Sequence, residues 1–160
     1  MSISTKTILL AEDDENDVFF MQQAMQSAGI VNPLRVVADG RQAIAYFQGV
    51  GNFANRADFP LPYLMLLDLR LPHVPGLDVL KWVRQQTELT TIVVILTASK
   101  DDSDVGEAYR MGAAAYLVKP SDLSKLVEMA KALKEFWLTQ NTPPPKRHVV
   151  SSSLAPDTKR

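Results

Sequence analysis

The chain has 160 residues, of which 46% are apolar and 22% are charged, and its formal net charge at pH 7 is -1. This length suits a single domain with one sizeable core, and the composition excludes a disordered or collagen-like protein. A charge near zero offers no general attraction to polyanions, so we expect no nucleic-acid binding. The sequence has no cysteine, which excludes disulfides and thiolate chemistry.

The N-terminal region carries no recognisable targeting signal. Its first apolar run extends only from Ile8 to Ala11, which is too short for the core of a signal peptide or for a membrane span. We therefore expect a cytoplasmic protein that makes no contact with a membrane.

Continuous apolar runs that stop abruptly at polar residues predict five buried strands. The intervening segments carry apolar residues at helical spacing and predict five helices. The strands are predicted at 7–11, 34–38, 63–67, 91–96 and 114–118, and the helices around 18–28, 43–47, 76–86, 101–111 and 123–136. Such alternation predicts a five-stranded parallel sheet in a doubly wound, flavodoxin-like, three-layer α/β/α sandwich.

Two irregular stretches interrupt the alternation. Residues 49–62 contain glycine, asparagine and proline and predict a long loop before the third strand. Residues 141–160 contain three consecutive prolines and three consecutive serines and predict a disordered tail. The predicted domain therefore covers 1–140, with an ordered core at about 6–138, and we expect it to act as a stand-alone module.

Polar side chains follow four of the five predicted strands at the point where each strand ends. Glu12 and Asp13 follow the first, Asp68 the third, Thr97 the fourth and Lys119 the fifth. Because sites in this architecture lie beyond the carboxyl ends of the strands, we expect all five to converge. Three carboxylates in one place repel one another unless a cation lies between them, and an all-oxygen site suits Mg²⁺.

This set of groups is suited to phosphoryl transfer. A carboxylate such as Asp68 can attack phosphorus to give an aspartyl phosphate. The reaction depends mainly on positioning and on neutralising charge over three phosphoryl oxygens. A magnesium ion, the Lys119 ammonium and the Thr97 hydroxyl supply both requirements.

The same residues, taken with their neighbours, resemble the response-regulator receiver family. The likeness extends from about residue 6 to residue 138, and each motif lies at its own strand end. The motifs are Glu12-Asp13, Leu67-Asp68 with Leu71-Pro72 and Gly76 downstream, Thr97-Ala98, and Lys119-Pro120 after Tyr116.

The resemblance implies a role for each residue of the acidic group. Asp68 would be the phospho-acceptor and Asp13 a direct Mg²⁺ ligand. Glu12 would act on the metal largely through water, and the backbone carbonyl of Arg70 would be a further ligand. These roles imply a signalling protein that catalyses only its own phosphorylation and dephosphorylation.

The resemblance also implies how the signal travels. Thr97 and Lys119 would contact the phosphoryl group, and Tyr116 would turn inward as the threonine moves. This changes the face formed by the fourth helix, fifth strand and fifth helix, which would bind a downstream protein target. A cis peptide bond is implied before Pro120, and the phosphoryl donor would be a sensor histidine kinase or a phosphotransfer protein.

A narrower likeness concerns the long loop and the end of the last helix. Together with the sequence from Glu135 to Leu138, the loop resembles cyanobacterial-type phytochrome-associated receivers, which implies a phytochrome-type kinase and a homodimer. Phe136 and Trp137 could be buried against their own domain or against a second protomer. We favour a dimer contact.

The sequence departs from the family pattern in two places and leaves other functions to weigh. Glu12 stands where aspartate is more frequent, and Pro75 stands where a polar residue is. A degenerate receiver that never carries phosphate is the first alternative. A hydrolase with an aspartyl nucleophile would need an acid where Arg70 stands, and a dinucleotide binder would need glycines where the first strand runs into acids. His73 lacks the partners of a ligand or general base, so we assign it no role.

Overall fold

The computed structural model describes residues 6–145 and confirms the predicted α/β sandwich. Its five strands are β1 (Ile8–Ala11), β2 (Leu34–Val37), β3 (Leu64–Leu67), β4 (Ile92–Thr97) and β5 (Ala115–Val118). They form one parallel sheet in the order β2-β1-β3-β4-β5. The strand order reverses at β1, and this places the ends of β1 and β3 side by side.

The five predicted helices are all present. They are α1 (Glu15–Ser27), α2 (Gly40–Gln48), α3 (Gly76–Gln85), α4 (Asp102–Arg110) and α5 (Leu123–Leu133). A 3₁₀ turn (Gly51–Phe53) inside the long loop was not predicted, and the last predicted helix extends past α5 as a π-helix (Lys134–Gln140). In the described part of the chain, no helix combines the length and the apolar character that spanning a membrane requires.

The strand residues alternate between two cores because successive side chains of a strand point to opposite faces of the sheet. Leu9, Met65 and Ile95 face one side, where the apolar residues of α2, α3 and α4 cover them. Leu10 and Leu66 face the other side, where α1 and α5 cover them. Both faces are therefore buried, and each fully buried side chain of this size contributes about 1.5–3 kcal/mol.

Aspartate side chains cap three of the helices. The Asp14 side chain accepts from the backbone N–H groups of Asn16, at 2.8 Å, and Asp17, at 3.1 Å. Asp39 and Asp122 cap α2 and α5 in the same way. These caps satisfy N–H groups that the helix itself leaves free, so Asp14 has a structural role although it adjoins the acidic pair.

The loop between α2 and β3 is closed by an aromatic cluster and one arginine. Tyr46 is fully buried and packs against Phe53 and Phe59, and its hydroxyl donates to the Pro60 carbonyl at 2.9 Å. The Arg56 guanidinium donates to three backbone carbonyls, those of Tyr46 (2.7 Å), Phe47 (2.5 Å) and Phe59 (3.0 Å). The predicted irregular loop is therefore held firmly against the end of α2.

The chain after α5 lies close to the amino end of the sheet. The Tyr63 hydroxyl donates to the Trp137 carbonyl at 3.2 Å, and Trp137 packs partly against the α1 and α5 side of the core. Phe136 lies beside it and is 53% exposed. Of the predicted tail, residues 141–145 have no regular structure, and residues 146–160 lie outside the described residues.

Candidate functional site

Three carboxylates meet at the carboxyl end of the sheet. Glu12 and Asp13 follow β1, and Asp68 follows β3, which is the neighbouring strand in the same register. One carboxylate oxygen from each lies within 4.8 Å of the others. Glu12 and Asp68 are 4% and 5% exposed, whereas Asp13 faces solvent. The convergence expected from the sequence is therefore present for these three carboxylates.

Lys119 lies among these carboxylates. Its ammonium donates to Asp68 Oδ2 and to Asp17 Oδ2, each at 2.9 Å, and also to Glu12 Oε1. Burial alone would lower the pKa of Lys119, but these three hydrogen bonds outweigh it and hold the pKa above its usual value. Lys119 is therefore a fixed positive charge over the working pH range.

One ammonium does not neutralise the acidic group. Burial, and to a smaller extent the charge of Asp68, raise the pKa of Glu12 to about 7, although hydrogen bonds from Lys119 and from the Asp14 backbone act in the opposite direction. A buried carboxyl with a raised pKa is one for which the ionised form is costly. The site consequently favours the entry of further positive charge.

The donor set at this end of the sheet fits a magnesium ion. Mg²⁺ takes oxygen ligands, commonly one or two carboxylates with several waters, and Glu12, Asp13 and Asp68 offer three carboxylates in one pocket. Arg70 lines the same pocket, and its backbone N–H donates to Asp68 Oδ1 at 3.2 Å. A bound Mg²⁺ would supply charge neutralisation to a phosphoryl group next to Asp68.

Thr97, the last residue of β4, carries a buried hydroxyl. The residue is fully buried, and within residues 6–145 its Oγ1 atom has no hydrogen-bond partner. The backbone N–H of Lys119 donates to the Thr97 carbonyl at 2.8 Å, which ties the ends of β4 and β5 together. A buried hydroxyl without a partner costs about 1–3 kcal/mol, so a ligand oxygen at this position would be stabilised.

Gly76 allows the chain to turn tightly after Asp68. A Cβ atom at this position would lie 2.2 Å from the Asp68 carbonyl oxygen and 2.6 Å from the Leu69 Cα. The Gly76 N–H also donates to the Leu69 carbonyl at 2.8 Å. Pro75 precedes α3 with φ of -59° and gives no side-chain cap, so α3 begins without one.

Tyr116 lies on β5 and is connected to the loop that follows β4. Its hydroxyl donates to the Ser99 carbonyl at 3.0 Å, and the Ser99 hydroxyl donates to Asp104 Oδ2 on α4 at 2.6 Å. The ring is partly buried against the core on the α2, α3 and α4 side. These contacts connect the Thr97 segment with the β5 and α4 surface.

Two results differ from the expectations of the sequence. The expected cis bond before Pro120 was wrong, since residues 6–145 contain no cis peptide bond; the trans form is intrinsically favoured even before proline. Asp17 was not predicted to reach the site, although it lies four residues after Asp13. Its position in the first turn of the helix that follows Glu12 and Asp13 was the available signal.

Comparison with known proteins supports the geometry. Residues 8–131 match the family model of the response regulator receiver domain. The chain is 36% identical over 140 residues to the response regulator Rcp1 of Synechocystis sp., and the match covers 87% of this chain and 93% of Rcp1.

Solved structures give the same result. The phosphorylated cyanobacterial phytochrome response regulator RcpA superposes with a TM-score of 0.79 at 33% identity, and the Mn²⁺-bound form of Rcp1 with a TM-score of 0.78 at 35% identity. Each match covers 88% of this chain and 99% of the other. With the sandwich fold and the acidic site at its carboxyl edge, these matches show that the chain belongs to the response regulator receiver domain family.

Proposed function

We propose that this receiver accepts a phosphoryl group on Asp68 in a Mg²⁺-dependent reaction and acts as the response regulator of a two-component phosphorelay. The observation that carries the proposal is the position of the Asp68 carboxylate. It lies within 4.8 Å of oxygens of Glu12 and Asp13, and Lys119 Nζ is 2.9 Å away. A nucleophilic carboxylate, a metal pocket and a fixed cation are thus in contact.

We assign the roles of the residues from their positions. Glu12, Asp13, Asp68 and the Arg70 carbonyl would hold the metal, and Lys119 would balance the charge of the phosphoryl oxygens. The Thr97 hydroxyl, buried and without a partner, would donate to one of those oxygens. Phosphoryl transfer needs little more than such positioning and charge stabilisation.

The signal would leave the site through Thr97 and Tyr116. A phosphoryl group adds negative charge and acceptor oxygens, which would draw the Thr97 hydroxyl and the end of β4 toward Asp68. Tyr116 bonds to the Ser99 carbonyl, two residues beyond Thr97, so this movement would change the ring's hydrogen bond. The altered face of α4, β5 and α5 would then bind the downstream target.

The partners are proposed from the relatives. The solved structure of RcpA is described as a phytochrome response regulator, and we infer that a phytochrome-type sensor histidine kinase, or a phosphotransfer protein, supplies the phosphoryl group here. Phe136 is half exposed beside the partly buried Trp137, and it would contribute to a homodimer contact. The proposed receiver unit covers 1–140, with a separate tail after it.

Incubation with acetyl phosphate and Mg²⁺, followed by intact mass measurement, tests the proposal. The parent protein should gain one phosphoryl group that hydroxylamine removes, and Asp68→Asn should gain none. Asp102→Asn, at an exposed position in the first turn of α4, is the matched control and should behave as the parent. Absence of an adduct on the parent, with Mg²⁺ binding demonstrated separately, would instead favour an interaction module that carries no phosphate.

A further inference from the structure

Asp17 contacts the site although it is not one of the metal-ligand group. It lies in the first turn of α1, and its carboxylate accepts from Lys119 Nζ at 2.9 Å with 43% of the side chain exposed. The three carboxylates that can hold a metal are Glu12, Asp13 and Asp68. Asp17 is outside that group although it lines the same pocket, and its hydrogen bond within the site is the one from Lys119.

The hydrogen bonds of Lys119 explain why this contact matters. An ammonium has three donors, and in this structure they go to Glu12, Asp68 and Asp17. Two of these acceptors, Glu12 and Asp68, are also proposed metal ligands. A divalent ion held by them would weaken their hydrogen bonds to the ammonium, whereas Asp17 is not in the group that can hold the metal.

Asp17 is also held firmly itself. Its backbone N–H donates to the capping carboxylate of Asp14 at 3.1 Å, which fixes the first turn of α1. The aspartate side chain is short, so its oxygens follow the backbone closely. The carboxylate can therefore direct the long and flexible lysine side chain, which otherwise loses much rotamer freedom when it is ordered.

We propose that Asp17 is a positioning residue that keeps the Lys119 ammonium beside Asp68 during phosphoryl transfer, an inference that rests on the proposed function. In the reaction with acetyl phosphate, an Asp68 carboxylate oxygen forms a bond to phosphorus. The bond from phosphorus to the acetate oxygen breaks, and acetate leaves with that electron pair. Lys119 keeps its protons throughout and donates to phosphoryl oxygens while one N–H stays with Asp17.

The alternative explanation is that Asp17 only adds one more negative charge to this end of the molecule. Glu15 distinguishes the two explanations because it lies in the same first turn of α1, is exposed, and has no hydrogen bond or ion pair with Lys119. Asp17→Asn and Glu15→Gln remove the same charge from the same turn. Only the first weakens the contact with the ammonium.

The first measurement is the initial rate of Asp68 phosphorylation by acetyl phosphate as Mg²⁺ is varied. Asp17→Asn should lower the rate at saturating Mg²⁺ by about three- to tenfold, as expected when a charged group is less well positioned. The Mg²⁺ concentration at half-maximal rate should stay unchanged. Glu15→Gln should match the parent, and Asp17→Glu should restore at least part of the rate.

The second measurement needs no phosphorylation. The ¹H–¹⁵N correlation of the Lys119 ammonium, assigned by its absence in Lys119→Arg, should be observable in the Mg²⁺-loaded parent because hydrogen bonding slows its exchange with water. Asp17→Asn should broaden or abolish it, and Glu15→Gln should leave it intact.

The outcomes separate the two proposals. Equal rates and equal ammonium signals in Asp17→Asn and Glu15→Gln would overturn the positioning role, as would a change in Mg²⁺ requirement with no change in maximal rate. A parent that never carries phosphate contradicts the proposed function, and in that case the ammonium signal alone decides whether Asp17 holds the lysine.

Discussion

The two ends of the β-sheet differ in how their polar groups are paired. At the amino end, Arg56 satisfies three backbone carbonyls and the buried Tyr46 hydroxyl bonds to Pro60. At the carboxyl end, Glu12, Asp13 and Asp68 share a pocket with the single ammonium of Lys119. One end pairs its polar groups for stability, and the other keeps negative charge in excess.

The difference shows which end of the sheet lowers the stability of the fold. Buried charges and polar groups are destabilising unless they are paired, so a chain selected only for stability would not collect carboxylates at one edge. Functional sites are where such conflicts are expected. Substitutions should therefore have opposite effects at the two ends. Loss of polar groups at the amino end should destabilise the fold, and loss of a carboxylate from the group Glu12, Asp13 and Asp68 should stabilise the metal-free protein.

The largest effect is expected at Arg56. Arg56→Met keeps much of the apolar stem but removes three hydrogen bonds from a charged donor, leaving the carbonyls of Tyr46, Phe47 and Phe59 without it. The free energy of unfolding should fall by about 3 kcal/mol, measured by urea denaturation. Arg41→Met, at an exposed position on α2, should change it by less than about 0.5 kcal/mol. Equal losses of stability in both variants would show that the Arg56 hydrogen bonds do not hold the loop in place.

The next effect concerns pH and Glu12. Its pKa in the folded protein is raised from 4.5 to about 7, so the folded state holds this proton more tightly than the unfolded state. The contribution of this proton to the free energy of unfolding is complete below about pH 4.5 and is lost as the pH rises through about 7. Without divalent cations, it should amount to roughly 1–3 kcal/mol.

Glu12→Gln isolates that contribution, because the amide keeps an oxygen for Lys119 but cannot titrate. The parent should lose stability relative to Glu12→Gln between about pH 5 and pH 7, in urea denaturation with a chelator present. Parallel pH profiles for the two proteins would show that the pKa of Glu12 is not raised in the metal-free folded protein.

A smaller effect is expected at Tyr46. Tyr46→Phe removes the hydroxyl that donates to the Pro60 carbonyl at 2.9 Å and should cost about 1 kcal/mol. Burial raises the pKa of Tyr46 above its ordinary value of 10, so its share of the stability is present below pH 10 and is lost as the pH rises through the folded-state value. Denaturation at alkaline pH should show a steeper loss in the parent than in Tyr46→Phe.

The smallest effect, with the opposite sign, is expected at Asp13. Asp13→Asn removes one surplus carboxylate while keeping nearly the same shape, and it should raise the metal-free free energy of unfolding by about 0.5–1 kcal/mol. It should also reduce the stabilisation that added Mg²⁺ gives the parent, since that gain depends on metal affinity. A loss of stability in the metal-free variant would contradict the proposed difference between the two ends of the sheet.

Much of the fold was predictable because its signals are local. A run such as Leu64 to Leu67 is apolar throughout, as a strand covered on both faces must be. The acids and the lysine at the strand ends were predictable for a related reason, because parallel strands bring their carboxyl ends to one edge. The roles assigned to Thr97, Tyr116 and Arg70 remain predictions.

Other features depended on distant contacts. The π-helix Lys134–Gln140 continues α5 where Trp137 meets Tyr63, 74 positions away in the chain. The position of Arg56 at the end of α2 depends on how the aromatic rings of the loop pack together. Neither leaves a periodic pattern, so neither could be read along the sequence.

The sequence by itself determined the order of strands and helices along the chain. It also determined which acids, threonine and lysine follow the strand ends, because hydrophobic periodicity and strand ends are local properties. Only the tertiary structure decided that Lys119 is shared among Glu12, Asp68 and Asp17 and that Thr97 Oγ1 is buried without a partner within the described residues. Those facts depend on distances between side chains from different strands and helices, which exist only after the chain has folded.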